Sequence, residues 1–368
     1  MIIGIPKEIK NHENRVGLIE VGVKVLVQQG HKVLVEKNAG MGCGIRNEDY
    51  QEAGAILVDS AKQIYDDSDM IVKVKEPVDP ETHYLHDGQI LFTFLHLAAV
   101  PTLAKELMNK KVSAIAYETI QLSDGSLPVL KPMSEVAGKM APQLGAYLLQ
   151  KDKSDKGKGV LLGGVPGVKR GQVTIVGGGV AGMNAAKIAV GMGADVTIVD
   201  RDVRRLEYLD DIFGTQIKTL MSNISNIEES VRESDLVIGA VLVTGAKAPK
   251  LVTKEMVFKM EPSSVLIDIS IDQGGCIETM KPTTHDNPTF DLKGVIHYGV
   301  TNIPAAVART STYALTNVTF PYVLQLANKG FEKAIQENEA LYKGVNICQG
   351  KVTYKTVADD LGLKFEKL

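Results

Sequence analysis

The chain has 368 residues, 44% of them hydrophobic and 23% charged, with a net charge of −3; these are ordinary values for a globular chain long enough for two domains. That charge gives no electrostatic reason to expect a nucleic-acid partner. No apolar run approaches the ~20 residues of a membrane-crossing helix, and the opening Met1-Ile-Ile-Gly-Ile-Pro-Lys-Glu reads as a first strand with none of the layout of a signal peptide. Cys43, Cys276 and Cys348 are odd in number and far apart, which suits neither a disulfide framework nor a metal site and leaves a reduced, cytoplasmic protein as the simplest expectation.

Short β-type runs recur along the first third of the chain: Ile2–Ile5, Lys32–Glu36, Ile56–Val58, Met70–Val74, Ile90–Phe94 and Val112–Ala116. Helix-like stretches such as Gly17–Gln29 and Pro101–Lys110 lie between them. Alternating strands and helices imply a mostly parallel sheet covered by helices, so residues 1–128 read as one α/β domain. Pro128 and Pro132 bracket a break, after which Ser134–Leu149 is predicted as a long helix with Ser134 at its cap and Glu135 in its first turn. The charged run from Lys151 to Gly159 reads as a solvated surface turn.

Three patterns in this part carry chemistry. Lys7-Glu8 and Glu13-Asn14-Arg15-Val16 follow the first strand, and an arginine at a strand end can clamp a carboxylate with two parallel hydrogen bonds; by spacing alone a surface arginine is the plain alternative. Lys73 and Lys75 alternate with valines at the end of a buried-type strand, which predicts that both point to one face. His96 ends the most apolar strand, where it is either a satisfied core histidine or a proton-transfer group suited to neutral pH.

Residues 173–200 are the most informative stretch. The strand Val173–Val176 runs into Gly177-x-Gly179-x-x-Gly182, apolar residues follow at helical spacing through Met192, and a second strand, Val196–Val199, ends at Asp200, 18 residues after Gly182. This is a dinucleotide-binding fingerprint in its βαβ context: glycines for a tight turn, close approach of a pyrophosphate and close helix packing, with an anion at the helix N-terminus. Asp200 suits the ribose hydroxyls and repels a 2′-phosphate, which favours NAD over NADP, although Arg201, Arg204 and Arg205 follow it.

Further strands are expected at Gln216–Leu220, Leu236–Gly239, Val265–Ile269 and Val295–His297. Ile267-Asp268-Ile-Ser-Ile-Asp272-Gln-Gly-Gly ends one of them with carboxylates and glycines; Asp268, within the strand, reads as structural, and Asp272 can face a lysine, a histidine or a substrate ammonium. Residues 304–328 are predicted helical, with Pro304 near the start and Pro321 kinking or splitting the helix. The largely helical C-terminal stretch is expected to return to the first domain. The predicted layout is therefore residues 1–128 with 305–368 as the substrate (catalytic) domain and 129–304 as the NAD-binding domain: two Rossmann-like, doubly wound parallel-sheet domains of the α/β class with a cleft between them.

These motifs resemble the alanine dehydrogenase family over essentially the whole chain. The anchors are Ile3-Gly-Ile-Pro-Lys-Glu-Ile-Lys, Glu13-Asn-Arg-Val, Val74-Lys-Glu-Pro, Leu91-Phe-Thr-Phe-Leu-His-Leu-Ala, Lys131-Pro-Met-Ser-Glu-Val-Ala-Gly, Asp268-Ile-Ser-Ile-Asp-Gln-Gly-Gly, Thr301-Asn-Ile-Pro and Thr310-Ser-Thr-Tyr-Ala-Leu-Thr-Asn. The proton-translocating nicotinamide transhydrogenase has a soluble subunit of similar arrangement; the absence of a membrane segment and the presence of the substrate residues set this chain apart. The resemblance implies oxidation of L-alanine by NAD and water to pyruvate, ammonia and NADH, in a cytoplasmic homo-oligomer that is typically a hexamer, with no metal.

By the same resemblance, Arg15 and Lys75 bind the substrate, His96 is the acid/base and Asp272 the second catalytic group near the amine. The cofactor contacts carried over, beside Gly177, Gly179 and Gly182, are Ser134, Val180, Ala181, Asp200, Arg205, Ser222, Val241, Leu242, Ile269, Ser270, Ile271, Asp272, Lys281, Val300, Thr301, Asn302 and Ile303. Phe94 stands where many relatives have tyrosine, Lys281 replaces an arginine and Ile303 a methionine. Two other readings are a non-catalytic NAD-binding regulator, which has no need of Arg15, Lys75, His96 and Asp272 together, and an opine or saccharopine-type dehydrogenase, which needs room for a second amino acid.

Overall fold

A computed structural model describes residues 1–153, 155–242 and 248–368; Ser154, inside the expected surface turn, lies outside the described residues. The chain divides into two compact units, Met1–Met133 with Ala305–Leu368, and Ser134–Pro304. Among the described residues no helix is long and apolar enough to cross a membrane.

The first unit is built on strands β1 (Ile2–Ile5), β2 (Lys32–Glu36), β3 (Ile56–Val58), β4 (Met70–Val72), β5 (Ile90–Thr93) and β6 (Ser113–Ala116), which run parallel in the order β3-β2-β1-β4-β5-β6. The second unit repeats that order with β7 (Gln172–Val176), β8 (Asp195–Asp200), β9 (Ile217–Met221), β10 (Leu236–Gly239) and β11 (Val265–Asp268), then the antiparallel β12 (Thr289–Leu292) beside the parallel β13 (Val295–Tyr298). Both are doubly wound sheets, and in each the strand order reverses once, between β1 and β4 and between β7 and β10.

Side chains of the second sheet show why both faces must be covered. Val173, Ile175, Leu236, Ile238, Val265 and Ile267 enter one apolar layer, and the alternating Val176, Val237 and Leu266 enter the other. A strand buried on both faces reads as a continuous apolar run, which is how these segments appear in the sequence.

Two strands at the C-terminus are absent from the expected pattern. β14 (Val345–Cys348) adds antiparallel to β6, and β15 (Lys351–Val352) adds to β14. They are too short, and too close to helical neighbours, to stand out by period. β12 escaped notice for a different reason: its residues are only partly buried and carry a weak apolar signal.

Three local expectations are corrected. The helix begins at Lys131, not at a Ser134 cap, because Pro132 sits in the first turn, where its missing N–H is harmless. Pro321 does not split the helix Ala308–Lys329; Leu315 and Thr319 before it, and Val323 and Leu326 after it, are all buried, and that packing offsets the ~3 kcal/mol a helical proline costs. β11 stops at Asp268, and Ile269 opens a short 3-10 turn.

Ile347 of β14 is wholly buried in the first unit's core with Leu107, Val112 and Ala114. Ile347→Ala should lower the unfolding free energy by ~2–5 kcal/mol, read as a shifted urea midpoint. A change under about 0.5 kcal/mol would show that the C-terminal strands are not part of that core.

Candidate active site

In a doubly wound sheet the ligand crevice lies at the carboxyl ends of the strands, where their order reverses. In the first unit those ends carry Glu8, Glu13 and Arg15 after β1, residues 73–76 after β4 and residues 94–96 after β5.

Arg15 is not a surface arginine; it is 2% exposed. Its Nε and Nη2 donate to the two oxygens of Glu13 at 2.7 and 2.5 Å, and Nη1 lies 3.1 Å from the Met133 sulfur. Glu13 also accepts the Arg15 backbone N–H at 3.1 Å. One edge of the guanidinium is thus held by a fixed carboxylate, and the Nη1 edge is turned toward Met133.

The pairing of Lys73 with Lys75 on one face is corrected. β4 ends at Val72 and the chain bends at Val74–Lys75, so the two lysines meet different surroundings. Lys73 is fully buried, with Nζ 2.5 Å from Glu81 and 3.4 Å from Glu8. Lys75 is half-buried; its N–H donates to Glu8 at 3.3 Å and its carbonyl accepts the Thr93 hydroxyl at 3.0 Å. Glu8 also takes the Val74 N–H at 2.7 Å, which fixes the bend. Burial pushes the Glu8 carboxyl up despite the Lys73 charge beside it.

His96 is half-buried and sits in the left-handed backbone region at φ 48°. Few residues rest there unaided; Glu118 holds the turn by accepting the N–H groups of Leu95 and His96 at 3.2 and 2.7 Å. The ring stacks on Phe94 at 5.7 Å, and Phe94 meets Tyr117 edge-on at 5.1 Å, so Phe94 serves as a packing ring. Nδ1 of His96 lies 3.1 Å from Glu76 Oε2, and the other Glu76 oxygen bonds Lys10. Burial alone would raise the Glu76 carboxyl; the hydrogen bonds and charges of His96 and Lys10 outweigh it and hold the group down at about 2.

Glu13, Glu76 and Glu118 were not singled out as site residues in the sequence. The only signal was proximity: Glu13 precedes Arg15 by two, and Glu76 lies inside the Val74-Lys-Glu-Pro anchor.

In the second unit, Gly177, Asp200, Ser222, Val241, Ile269 and Val300 all lie at or just after the carboxyl ends of parallel strands, which brings them to one edge of the sheet. Gly177 has φ 104°, a conformation side chains resist. A Cβ on Gly182 would lie 1.8 Å from the Gly177 carbonyl oxygen, so the helix Val180–Gly191 can sit on the turn only with glycine there. A Cβ on Gly179 would meet nothing within 4 Å, which leaves open space before the first-turn N–H groups of that helix, the groups that have no partner within a helix.

Asp200 accepts the N–H of Gly178 at 2.7 Å and of Asp202 at 2.9 Å, one on each oxygen. Arg205 does not reach outward; it donates to the carbonyls of Gly178 and Gly179 at 2.6 and 3.3 Å and lies over the Tyr208 ring. Each Asp200 oxygen keeps further lone-pair capacity, so the turn fits a pyrophosphate and the carboxylate fits ribose hydroxyls.

The remaining positions are set around that edge. Gly138 backs onto the Ala181 carbonyl, where a Cβ would come within 2.2 Å, and Ser134 lies one turn earlier on the same helix. Val180 and Ala181 open the helix after the turn, while Leu242 is exposed beyond β10. Ile269, Ser270, Ile271 and Asp272 form the 3-10 turn after β11, with Asp272 exposed. Buried Asp268 holds that turn, accepting the Ser270 and Ile277 N–H groups at 3.0 Å each. Thr301, Asn302 and Ile303 follow β13; Thr283 bridges to Val300, and the nearby Lys281 lies over the Phe290 ring at 4.5 Å.

Fold and sequence together define a class: an oxidoreductase of two Rossmann-type units, with a glycine-rich turn at the strand ends of one and Arg15, Lys75 and His96 after neighbouring strands of the other. Residues 4–137 match the family model described as the alanine dehydrogenase/PNT N-terminal domain, and residues 141–355 match its C-terminal domain. An alanine dehydrogenase of Methanococcus maripaludis is 60% identical over 97% of this chain and 96% of its own length. One of Bacillus subtilis is 59% identical over 99% and 96%. A solved L-alanine dehydrogenase superposes with a TM-score of 0.94 at 50% identity, covering 98% of this chain and 99% of its own. The chain belongs to the alanine dehydrogenase/PNT family.

The Glu76 carboxyl makes the fold pH-dependent in a defined direction. Its folded value of about 2 lies below the ordinary 4.5, so its contribution is complete above about pH 4.5 and is lost as pH falls toward 2. The stability gap between wild type and Glu76→Gln, followed by thermal melts at stepped pH, should therefore narrow on acidification below about 4.5. A gap that widened there would reverse the assignment.

Proposed function

We propose that this chain oxidises L-alanine with NAD and water to pyruvate, ammonia (as ammonium) and NADH, releasing one proton. The observation that carries the reading is a chain 60% identical to an alanine dehydrogenase over 97% of its length, with Arg15, Lys75 and His96 following the neighbouring strands β1, β4 and β5 of the first unit. The unit Met1–Met133 with Ala305–Leu368 is assigned the substrate, and the unit Ser134–Pro304 the nucleotide. A cytoplasmic homohexamer is proposed from family resemblance alone.

When bound, NAD accepts the hydride that leaves the alanine Cα. Arg15 binds the substrate carboxylate, and Glu13 sets the orientation of its guanidinium before substrate arrives. Lys75 serves the carboxylate and carbonyl side, where its charge stabilises the oxygen that pyruvate acquires. His96 takes the proton from the water that adds to the oxidised carbon and returns it as the carbinolamine collapses. Asp272 is the second acid/base, serving the amine.

Gly177, Gly179, Val180, Ala181 and Gly182 are proposed to cradle the pyrophosphate, and Asp200 the adenosine ribose. Ser134, Ser222, Val241, Leu242, the turn Ile269–Asp272, Lys281 and Val300–Ile303 complete the nucleotide contacts. Arg205 is kept among the proposed nucleotide contacts and also brackets the turn, its Nε and Nη2 donating to main-chain carbonyls.

Two outcomes test this reading. NADH formation should be fast with L-alanine and NAD, with NADP far poorer, and Asp200→Ala should weaken that preference. Equal efficiency with NADP would overturn the role of Asp200, and L-glutamate oxidised as fast as L-alanine would overturn the substrate. His96→Ala should lower kcat ~10²–10⁴-fold while calorimetric NAD affinity persists; near-normal turnover would move the acid/base role to Asp272. Arg15→Ala is the less clean variant, because it strands the buried Glu13 carboxylate and lowers stability as well as alanine binding.

A further inference from the structure

We infer that Glu76, braced by Lys10, is the positioning residue of His96: it fixes which ring nitrogen carries the permanent proton and which one works on the substrate. The inference deepens the proposed alanine oxidation and rests on it.

The argument begins with donors and acceptors. Glu76 is 5% exposed, and one of its oxygens lies 3.1 Å from His96 Nδ1. A carboxylate can only accept, so Nδ1 must carry the hydrogen. The neutral ring is then the Nδ1–H tautomer, and Nε2 is the nitrogen with an open lone pair. Lys10 binds the second oxygen, so the carboxylate is anchored at both ends and its plane cannot swing. The backbone is pinned separately: Glu118 takes the Leu95 and His96 N–H groups, and Phe94 covers one ring face. Ring position and tautomer thus have different keepers, and only Glu76 sets the second.

Lys10, Glu76 and His96 lie after β1, β4 and β5, three neighbouring strands of one sheet. Their spacing follows from strand order rather than a flexible loop, which suits a group that must hold one atom in place. In the proposed step, Nε2 removes the proton from water as the water oxygen bonds the substrate carbon, and later returns it to the leaving nitrogen. With the proton on Nε2 instead, the neutral ring has no lone pair to offer there.

The experiment is a mutant cycle with an activity-free arm. In saturating alanine and NAD, Glu76→Ala should lower kcat ~10–100-fold with little change in the alanine KM. Glu76→Gln, whose amide oxygen still accepts from Nδ1, should recover part of that loss. In a His96→Ala background, Glu76→Ala should do nothing further to kcat, because the residue acts only through the ring. An equal loss in both backgrounds, or no loss with histidine present, overturns the inference. If Glu76→Ala does not fold, Lys10→Met replaces it, with a smaller kcat loss expected, again confined to the His96 background; equal or absent losses overturn the inference in the same way.

The second arm needs no turnover. In protein labelled with 15N-histidine, the His96 ring, assigned by its disappearance in His96→Ala, should be the Nδ1–H tautomer and shift toward Nε2–H in Glu76→Ala. An unchanged tautomer overturns the inference. A wild-type chain inactive on alanine would instead overturn the proposed reaction, and the spectra would still judge the Glu76–His96 link.

Discussion

A buried charge must bring its counter-charge with it, because an isolated ion taken out of water costs several kcal/mol even after relaxation. In the first unit this requirement shapes the loops at the strand ends. Arg15 is accompanied by Glu13, Lys73 by Glu8 and Glu81, and Glu76 by Lys10 and His96. Some of these contacts cross from one loop to the next. Glu8, after β1, holds Val74 and Lys75 after β4; Lys10 reaches Glu76; Glu76 reaches His96 after β5; Glu118, after β6, holds the backbone of His96. β1, β4, β5 and β6 are consecutive neighbours in the sheet, so ion pairs and carboxylate–backbone hydrogen bonds stitch four adjacent strand ends together. Removing one member leaves a buried charge and loosens the next loop.

The second unit meets a similar problem with backbone groups. Its phosphate turn has little side-chain material, since glycine is needed where the helix presses on Gly177. The turn is instead held from outside: Asp200 takes a turn N–H, and Arg205 takes two turn carbonyls. This leaves the helix N-terminus as the principal attraction for an anion. Two of the three arginines after Asp200 are engaged locally. Arg205 is engaged by the turn, and the exposed Arg204 lies near Asp202.

The sequence was most legible where one local rule decides the structure. β7 and β10 appear as apolar runs because both sheet faces are buried, and the glycine fingerprint is legible because Gly177 takes a positive φ and Gly182 backs onto the Gly177 carbonyl five residues away. It was least legible where distant elements decide. Nothing local tells that β4 stops at Val72; the bend is imposed by Glu8, 66 residues away from Val74. The Ser134 cap failed because Pro132 was read as a break, although a proline is at home in a first turn. Glu76 went unremarked because a carboxylate beside a lysine in sequence looks like a solvated pair. Its meaning lies in His96, 20 residues on and one strand over. Patterns pointed to the loops at the strand ends, but not to which carboxylate partners which cation.

That partnering carries an energetic compromise. Glu13 neutralises much of the Arg15 field, so in the role proposed for it the guanidinium would attract a substrate carboxylate less strongly than a bare cation would. In exchange, the side chain is already immobile. An arginine loses about 2 kcal/mol of rotamer freedom when fixed, and here that loss is borne at folding rather than at binding. Hydride transfer from a small amino acid tolerates little error, since reacting atoms must approach to roughly 3–3.5 Å and a displacement of about 1 Å can cost a hundredfold in rate. L-Alanine offers only a carboxylate, an amine and a methyl group, too few handles for affinity alone to define its position. A weaker but fixed cation is therefore the better device for this substrate, and the same logic applies to a histidine whose carboxylate partner is itself tied down.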